Sequence, residues 1–417
     1  MRKLEILSMI SILLFFFIIP TASADLIHSG GVANLNINLS YDPNSSFNSS
    51  EKAEIYAAAK TWEAEGSASN VVREPKFYNS STYNTTNGIS FSRGDIDGNP
   101  IANCASWWYS GNQTIAYSQI TFSTNSSYKW TTNISQANNS TYTWDVQSIA
   151  LHEIGHGLGI GHNSTNNTSD PAVMRSDAHP KGKRNLTAWD SYWFQMIYYK
   201  QPLPSGKSFD QSKSFESMGE SYLLLRSMPY EEQSNCEIES RIDILYLYMD
   251  DNQMIDNSDL IIRGHVKEIS SPWWNTSDGK TPATDEMFSY CLLHDVVITV
   301  DEIYKGEIKE KEIVVRQMGG SLDNVHQTVS DPQYYKGEEV ILYLIEGKSN
   351  TATQKCYYQI NERAQLFIVE DNLAVNGIGE TLNIQNDVLS KIESNTLNDS
   401  NKINNKNERF VFNIFSR

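Results

Sequence analysis

Apolar positions along the chain change their period several times, and each change marks an element. Val32, Leu35, Ile37 and Leu39 roughly alternate with polar residues, the pattern of a half-buried strand. Ser49-Ser50-Glu51 then opens a helix on which Ala53, Ala57, Ala58, Thr61 and Trp62 share a helical period, and Gly66 and Ser67 break it. Three strand-like runs follow, Gly88 to Arg93, Ile101 to Tyr109 and Ile115 to Phe122, separated by turn-rich segments. A long polar loop leads to Trp144. The stripe Val146, Ile149, Ala150, Ile154 predicts a helix from Asp145 to about Leu158, and another is expected from Ala188 to Tyr199.

The pattern then changes. Residues 202–243 are rich in Ser, Gly, Lys and Glu and read as a linker, with a short helix at Tyr222–Arg226. Residues 244–385 carry strand-like runs at Leu260–Val266, Asp295–Val300, Glu312–Arg316, Val340–Ile345 and Gln365–Val369 with few helical patterns, which predicts a small barrel or sandwich. Residues 386–417 are Asn- and Lys-rich and read as a disordered polar tail. The expected whole is an α+β domain over residues 25–201, then a smaller all-β domain.

At the N-terminus, Arg2 and Lys3 precede an apolar run from Ile10 to Ile19, and Ala22-Ser23-Ala24 supplies small residues for cleavage. The run is short against the roughly 20 residues a membrane span needs. Residues 1–24 therefore read as a signal peptide, and the mature chain is expected to be secreted, extracellular or at the cell surface, with no stable membrane insertion. Sequons at Asn38, Asn44, Asn48, Asn79, Asn84, Asn112 and beyond agree with export and glycosylation. The formal net charge of -17 argues against nucleic acid as a partner, because phosphate binding needs clustered Lys and Arg. Cys104, Cys236, Cys291 and Cys356 permit disulfides in an oxidising compartment, Cys291 with Cys356 being preferred because both fall in the later domain.

The chemistry concentrates in His152-Glu153-Ile154-Gly155-His156-Gly157-Leu158-Gly159-Ile160-Gly161-His162. His152 and His156, four apart on a helix, lie on one face a turn apart, within reach of a single ion. Gly159 lets the chain leave the helix sharply, and His162 returns as a third ligand. Three imidazoles leave one tetrahedral position for water, which marks a catalytic rather than a structural zinc site. Zinc so held lowers the pKa of its water from about 15.7 toward roughly 7, and Glu153 is placed to accept the proton. One zinc is expected.

This motif resembles that of the metzincin peptidases, and its surroundings resemble the matrixin branch, the matrix-metalloproteinase-like enzymes. Asp145 to Leu151 is similar to that branch's active-site helix, and Ser169-Asp170-Pro171-Ala172-Val173-Met174 to its Met-turn. Leu186 to Tyr198 is similar to its final helix, with Asp190 at one of the acidic positions. The resemblance covers roughly residues 25–201. It implies a twisted mixed sheet, an active-site helix, Met174 beneath the zinc ligands, and a cleft that takes an extended peptide along the edge strand. It implies a zinc endopeptidase acting on extracellular proteins or peptides. The chain departs from the branch in a longer loop between His162 and Met174, in Trp189 at a second Asp position, and in lacking the structural-zinc histidines. No cysteine-bearing propeptide is recognised before the first strand.

Asp95, Asp97 and Asn99 offer oxygen ligands in a Gly-containing turn, a candidate calcium site. Cys104 falls on the strand expected to border the cleft. Arg175, Lys181, Lys183 and Arg184 make the loop after Met174 basic, a hint of tolerance for acidic side chains. The alternative function is a secreted binding or adhesion protein that uses the zinc fold as a scaffold. Oligomeric state is not readable.

Overall fold

A computed structural model describes residues 31–395 apart from 69–73, 85–87, 97–99, 110–113, 163–171, 179–180, 199–237, 284–286, 288–289 and 348–354. The expected signal peptide, the expected helix at Tyr222–Arg226 and most of the expected linker and tail lie outside the described residues. The first half carries β1 (Asn36–Tyr41), α1 (Ser49–Ala68), β2 (Lys76–Asn79), β3 (Gly88–Gly94), β4 (Pro100–Tyr109), β5 (Tyr117–Ser123), β6 (Lys129–Thr131), β7 (Thr143–Asp145), α2 (Val146–Gly157) and α3 (Ala188–Tyr198). β1, β2, β3 and β5 are mutually parallel, and β4 runs antiparallel to β5.

Local chemistry sets the helix ends. Asn48 and Glu51 exchange side-chain and backbone hydrogen bonds at the start of α1 (both 3.0 Å), a reciprocal cap that satisfies two orphan N–H groups. The helix runs through Gly66 and Ser67, where a break was expected, because Gly66 is buried in the packed face with Ile55, Ala58, Ala59 and Trp62. Asp145 caps α2 by accepting from Ser148 N (3.0 Å), and Gly159, at φ +96°, turns the chain out. Trp62 of α1 donates to Leu151 O (2.9 Å), which fixes α1 against α2. β2 went unread because only Phe77 of its four residues is buried.

The second half carries β8 (Ile238–Tyr246), α4 (Asp251–Asn257), β9 (Leu260–Ile269), β10 (Trp273–Trp274), β11 (Leu292–Lys305), β12 (Glu312–Met318), β13 (Gly320–Leu322), β14 (Val325–Val329), β15 (Glu339–Gly347), β16 (Cys356–Gln359), β17 (Gln365–Glu370), β18 (Leu373–Asn376) and β19 (Thr381–Asn383). Pairing runs β9–β11–β12–β16–β15 and returns from β15 to β9, closing a five-stranded barrel. Leu260, Ile262, Val296, Ile298, Val340, Leu342 and Phe367 form its core. This is the expected small barrel within an α+β whole.

Three sequence expectations need correction. Residues 238–243 are not linker: they belong to β8, which pairs antiparallel with β4. β8 then pairs with β14, so the first sheet has eight strands in the order β13-β14-β8-β4-β5-β3-β1-β2 and draws on both halves of the chain. The first part of β8 reads as linker because Glu239, Ser240, Arg241 and Asp243 make it polar, and only Ile244, Leu245 and Tyr246 form a continuous apolar run. Residues 386–395, expected to be disordered, continue a helical segment that begins at Ile384 and buries Ile384, Val388 and Ile392. Finally, no disulfide joins Cys291 to Cys356.

Candidate metal and catalytic site

α2 brings His152, Glu153 and His156 to one place, and the turn at Gly159 returns His162 to them. The Nε2 atom of His156 lies 2.9 Å from that of His152 and 3.1 Å from that of His162. The outer nitrogens are already engaged: His152 Nδ1 donates to Val173 O and His156 Nδ1 to Ile160 O, both at 2.7 Å. Those bonds fix the tautomer in which each Nε2 presents its lone pair to a shared point. Among the described residues these three histidines form the one cluster suited to a metal ion. Converging neutral imidazoles are the donors zinc takes, so the residues fit that ion.

Burial shapes the electrostatics. His152 and His156 are held down to about 3, chiefly by burial, with the neighbouring His156 ring adding to the effect on His152. His162 is also pushed well down, by burial and then by the other two rings. All three are thus unprotonated at neutral pH, as metal ligation requires. Glu153 is 0% exposed. Burial, with the Asp243 carboxylate adding to it, raises its proton affinity well above the usual carboxylate range. Neither Glu153 oxygen has a hydrogen-bond partner among the described residues.

Met174 is fully buried against α2: a Cβ added at Gly155 would stand 2.3 Å from Met174 Sδ. Asp190 of α3 pins this turn, accepting from the backbone N–H groups of Val173 (3.0 Å) and Met174 (3.1 Å). The basic loop is neutralised internally. Arg184 grips Asp145 (2.5 and 2.9 Å) and reaches Glu54 (3.0 Å), while Arg175 pairs with Asp177 (2.7 Å). The expected tolerance for acidic side chains therefore loses two of its four basic residues, Arg175 and Arg184. A cavity of about 20 Å³ beside His152 is lined by Trp144, Ile149, Val173, Ala178 and Leu245, among others.

Cys104 is a buried thiol on β4, and burial pushes its pKa up, which makes it unreactive. Asp97 and Asn99 of the candidate calcium turn lie outside the described residues, and Asp95 accepts from Thr124 Oγ1 (2.6 Å).

Two acidic residues that sequence reasoning missed reach the site from the second half. Asp243 Oδ2 of β8 lies 3.9 Å from His156 Nδ1, and Glu362 Oε1 lies 3.6 Å from His162 Nδ1. Neither has a local motif, so only the tertiary pairing of β8 with β4 and the placement of the barrel reveal them.

Residues 34–199 match the family model for matrixins. No curated protein matches the chain. The matched segment spans both main helices around the site, all three histidines and the Met174 turn, and it supports a zinc metallopeptidase. The three-histidine cluster, the buried methionine turn and the mixed sheet agree with that match, and residues 34–199 are a matrixin-like metzincin domain.

Proposed function

We propose that the chain is a secreted zinc-dependent endopeptidase that hydrolyses peptide bonds of extracellular proteins or peptides, with Glu153 as general base. The observation that carries this reading is the convergence of the three histidines, with His156 Nε2 2.9 Å from His152 Nε2 and 3.1 Å from His162 Nε2, next to the buried Glu153 carboxylate, which has no hydrogen-bond partner among the described residues. When bound there, zinc supplies Lewis-acid polarisation of a carbonyl and acidifies water. The carbonyls of Val173 and Ile160 orient two of the imidazoles. Glu153 takes a proton from the attacking water and returns it to the leaving amine. Asp190 and Met174 keep the floor of the site rigid. Export is supported by the basic-apolar-small pattern of residues 1–24 and by the sequons. Among the described residues, no helix is long and apolar enough to cross a membrane.

The test is cleavage of an unfolded protein by the zinc-loaded chain, followed by mass spectrometry over long incubation. Chelator-sensitive cleavage is expected, falling at least about a hundredfold in Glu153→Ala while zinc stays bound. Equal cleavage by wild type and Glu153→Ala would contradict the assigned base. The scaffold reading draws on one observation, that Glu153 and His156 are both 0% exposed. Bound zinc with no cleavage from any form, including forms that open the site, would favour it.

A further inference from the structure

The edge along which an extended peptide would lie is filled by the chain itself. β8 runs antiparallel along β4, from Tyr109 opposite Ile238 to Pro100 opposite Tyr246. Its C-terminal end is held on the other side by the loop after Met174. Ala178 N donates to Tyr246 O (3.0 Å), and Tyr246 N donates to Ser176 O (3.3 Å). Tyr246 is thus gripped between a sheet edge and the wall of the site, as a residue of a bound peptide would be.

The side chains alternate to match. Ile242, Ile244 and Tyr246 form a separate apolar cluster with Ala105, Met318 and Val329 packed against it. On the other face, Asp243 stands opposite Cys104 with Oδ2 at 3.9 Å from His156 Nδ1, and Leu245 lines the cavity beside His152. Asp243 is 0% exposed, and Oδ1 accepts from Arg241 Nε (3.1 Å). Oδ2 has no hydrogen-bond partner among the described residues. A buried carboxylate oxygen with no donor is unfavourable unless a cation answers it, and the site for a dication adjoins it.

We propose that β8 is a resident inhibitory strand: it occupies the substrate edge of the cleft and sets the Asp243 carboxylate against the metal site, so that the folded chain is a latent peptidase. The proposal rests on the peptidase reading above. The occupant is a segment of this chain, residues 240–246. β8 carries β14 on its outer edge, so the plug is built into the second half of the molecule.

Access to the metal is read on the full-length chain loaded with cobalt. Acetohydroxamate, a small metal ligand, changes the visible cobalt spectrum only where it reaches the ion. The wild type is expected to respond weakly, and Asp243→Ala with at least a tenfold higher apparent affinity. Zinc-dependent cleavage of a quenched peptide is expected to rise at least tenfold in parallel. A second variant adds cysteines at the opposing residues Ala105 and Ile242, on the face of the strand pair away from the metal. In the Asp243→Ala background the oxidised bridge is expected to return both readouts to the wild-type level, and a phosphine reductant to release them again. Equal acetohydroxamate affinity in the wild type, Asp243→Ala and bridged forms would overturn the proposal. So would fragments of the zinc-loaded wild type cut within residues 240–246, which would make β8 a substrate. Cobalt spectra that change as expected while no form cleaves peptide would uphold the plug and remove the peptidase reading instead.

Discussion

At the scale of single residues, the site divides by how far apart its members lie in the chain. His152, Glu153, His156 and His162 were legible because one helical turn and one glycine turn bring them together. Met174 and Asp190 were legible through the resemblance, and the structure supplies the reason: the Asp190 carboxylate holds the backbone of the Met174 turn. Glu362 was not legible, since nothing near it in sequence carries metal chemistry. His152 and His156 each anchor Nδ1 on a backbone carbonyl, and Glu362 Oε1 lies 3.6 Å from His162 Nδ1. Burial and the nearby Asp331 push the Glu362 carboxyl well up, a preference for the protonated form. A dication on the imidazoles reverses that preference and makes it an acceptor for His162. Glu362→Ala is therefore expected to weaken zinc binding about 10–100-fold, measured by competition with a chromophoric chelator. An unchanged affinity would remove Glu362 from the site.

Among elements, α2 is the one on which most depends. It is capped by Asp145, crossed by Trp62 and seated on Met174 through Gly155. The glycine at 155 is required by this contact: a methyl there would meet Met174 Sδ at 2.3 Å and Trp62 Cζ2 at 3.0 Å. Gly155→Ala is expected to destabilise the fold by about 1–3 kcal/mol, the usual cost of overpacking, and to weaken zinc binding as the helix shifts. Chemical denaturation of the two proteins decides it, and a variant as stable as wild type would show that Met174 moves aside freely. Both helices, β3, β4 and β5 followed from hydrophobic period alone. β8 did not, because its first residues, Glu239 to Arg241, continue the polar composition of the preceding segment, and its partner β4 lies far back in the sequence. The extra helical turns after Asn383 were hidden by their polar composition: three buried apolar residues hold them to the barrel side.

Across the whole molecule, the two halves share a sheet and a site, and within the second half a buried polar junction ties β8 to the barrel. At that junction Asp331 Oδ2 accepts from Tyr246 Oη of β8 (2.8 Å) and from Gln359 Nε2 of the barrel (2.7 Å). Burial pushes Asp331 up to about 7. A folded-state value above the 3.8 usual for an aspartate favours the protonated form on folding, so its stabilising effect is complete below about pH 4 and is lost as pH rises through 7. Thermal stability of the wild type relative to Asp331→Asn should therefore fall between pH 4 and 8, by at most about 1.4 kcal/mol per pH unit. A difference independent of pH would mean that Asp331 is ionised throughout. The pairing of β8 with β4 and the approach of Glu362 to His162 make the second half part of the site rather than an appendage. The division of the chain into a catalytic domain, a linker and a separate β domain was a natural reading of composition, but composition does not register pairing between distant strands. The most direct test of the central claim is the zinc content of the purified full-length chain beside His156→Ala. One zinc per chain in the wild type and its loss in the variant are expected whether or not the site is latent. A wild type without zinc, or a variant that keeps a full equivalent, would contradict the assignment of the three histidines.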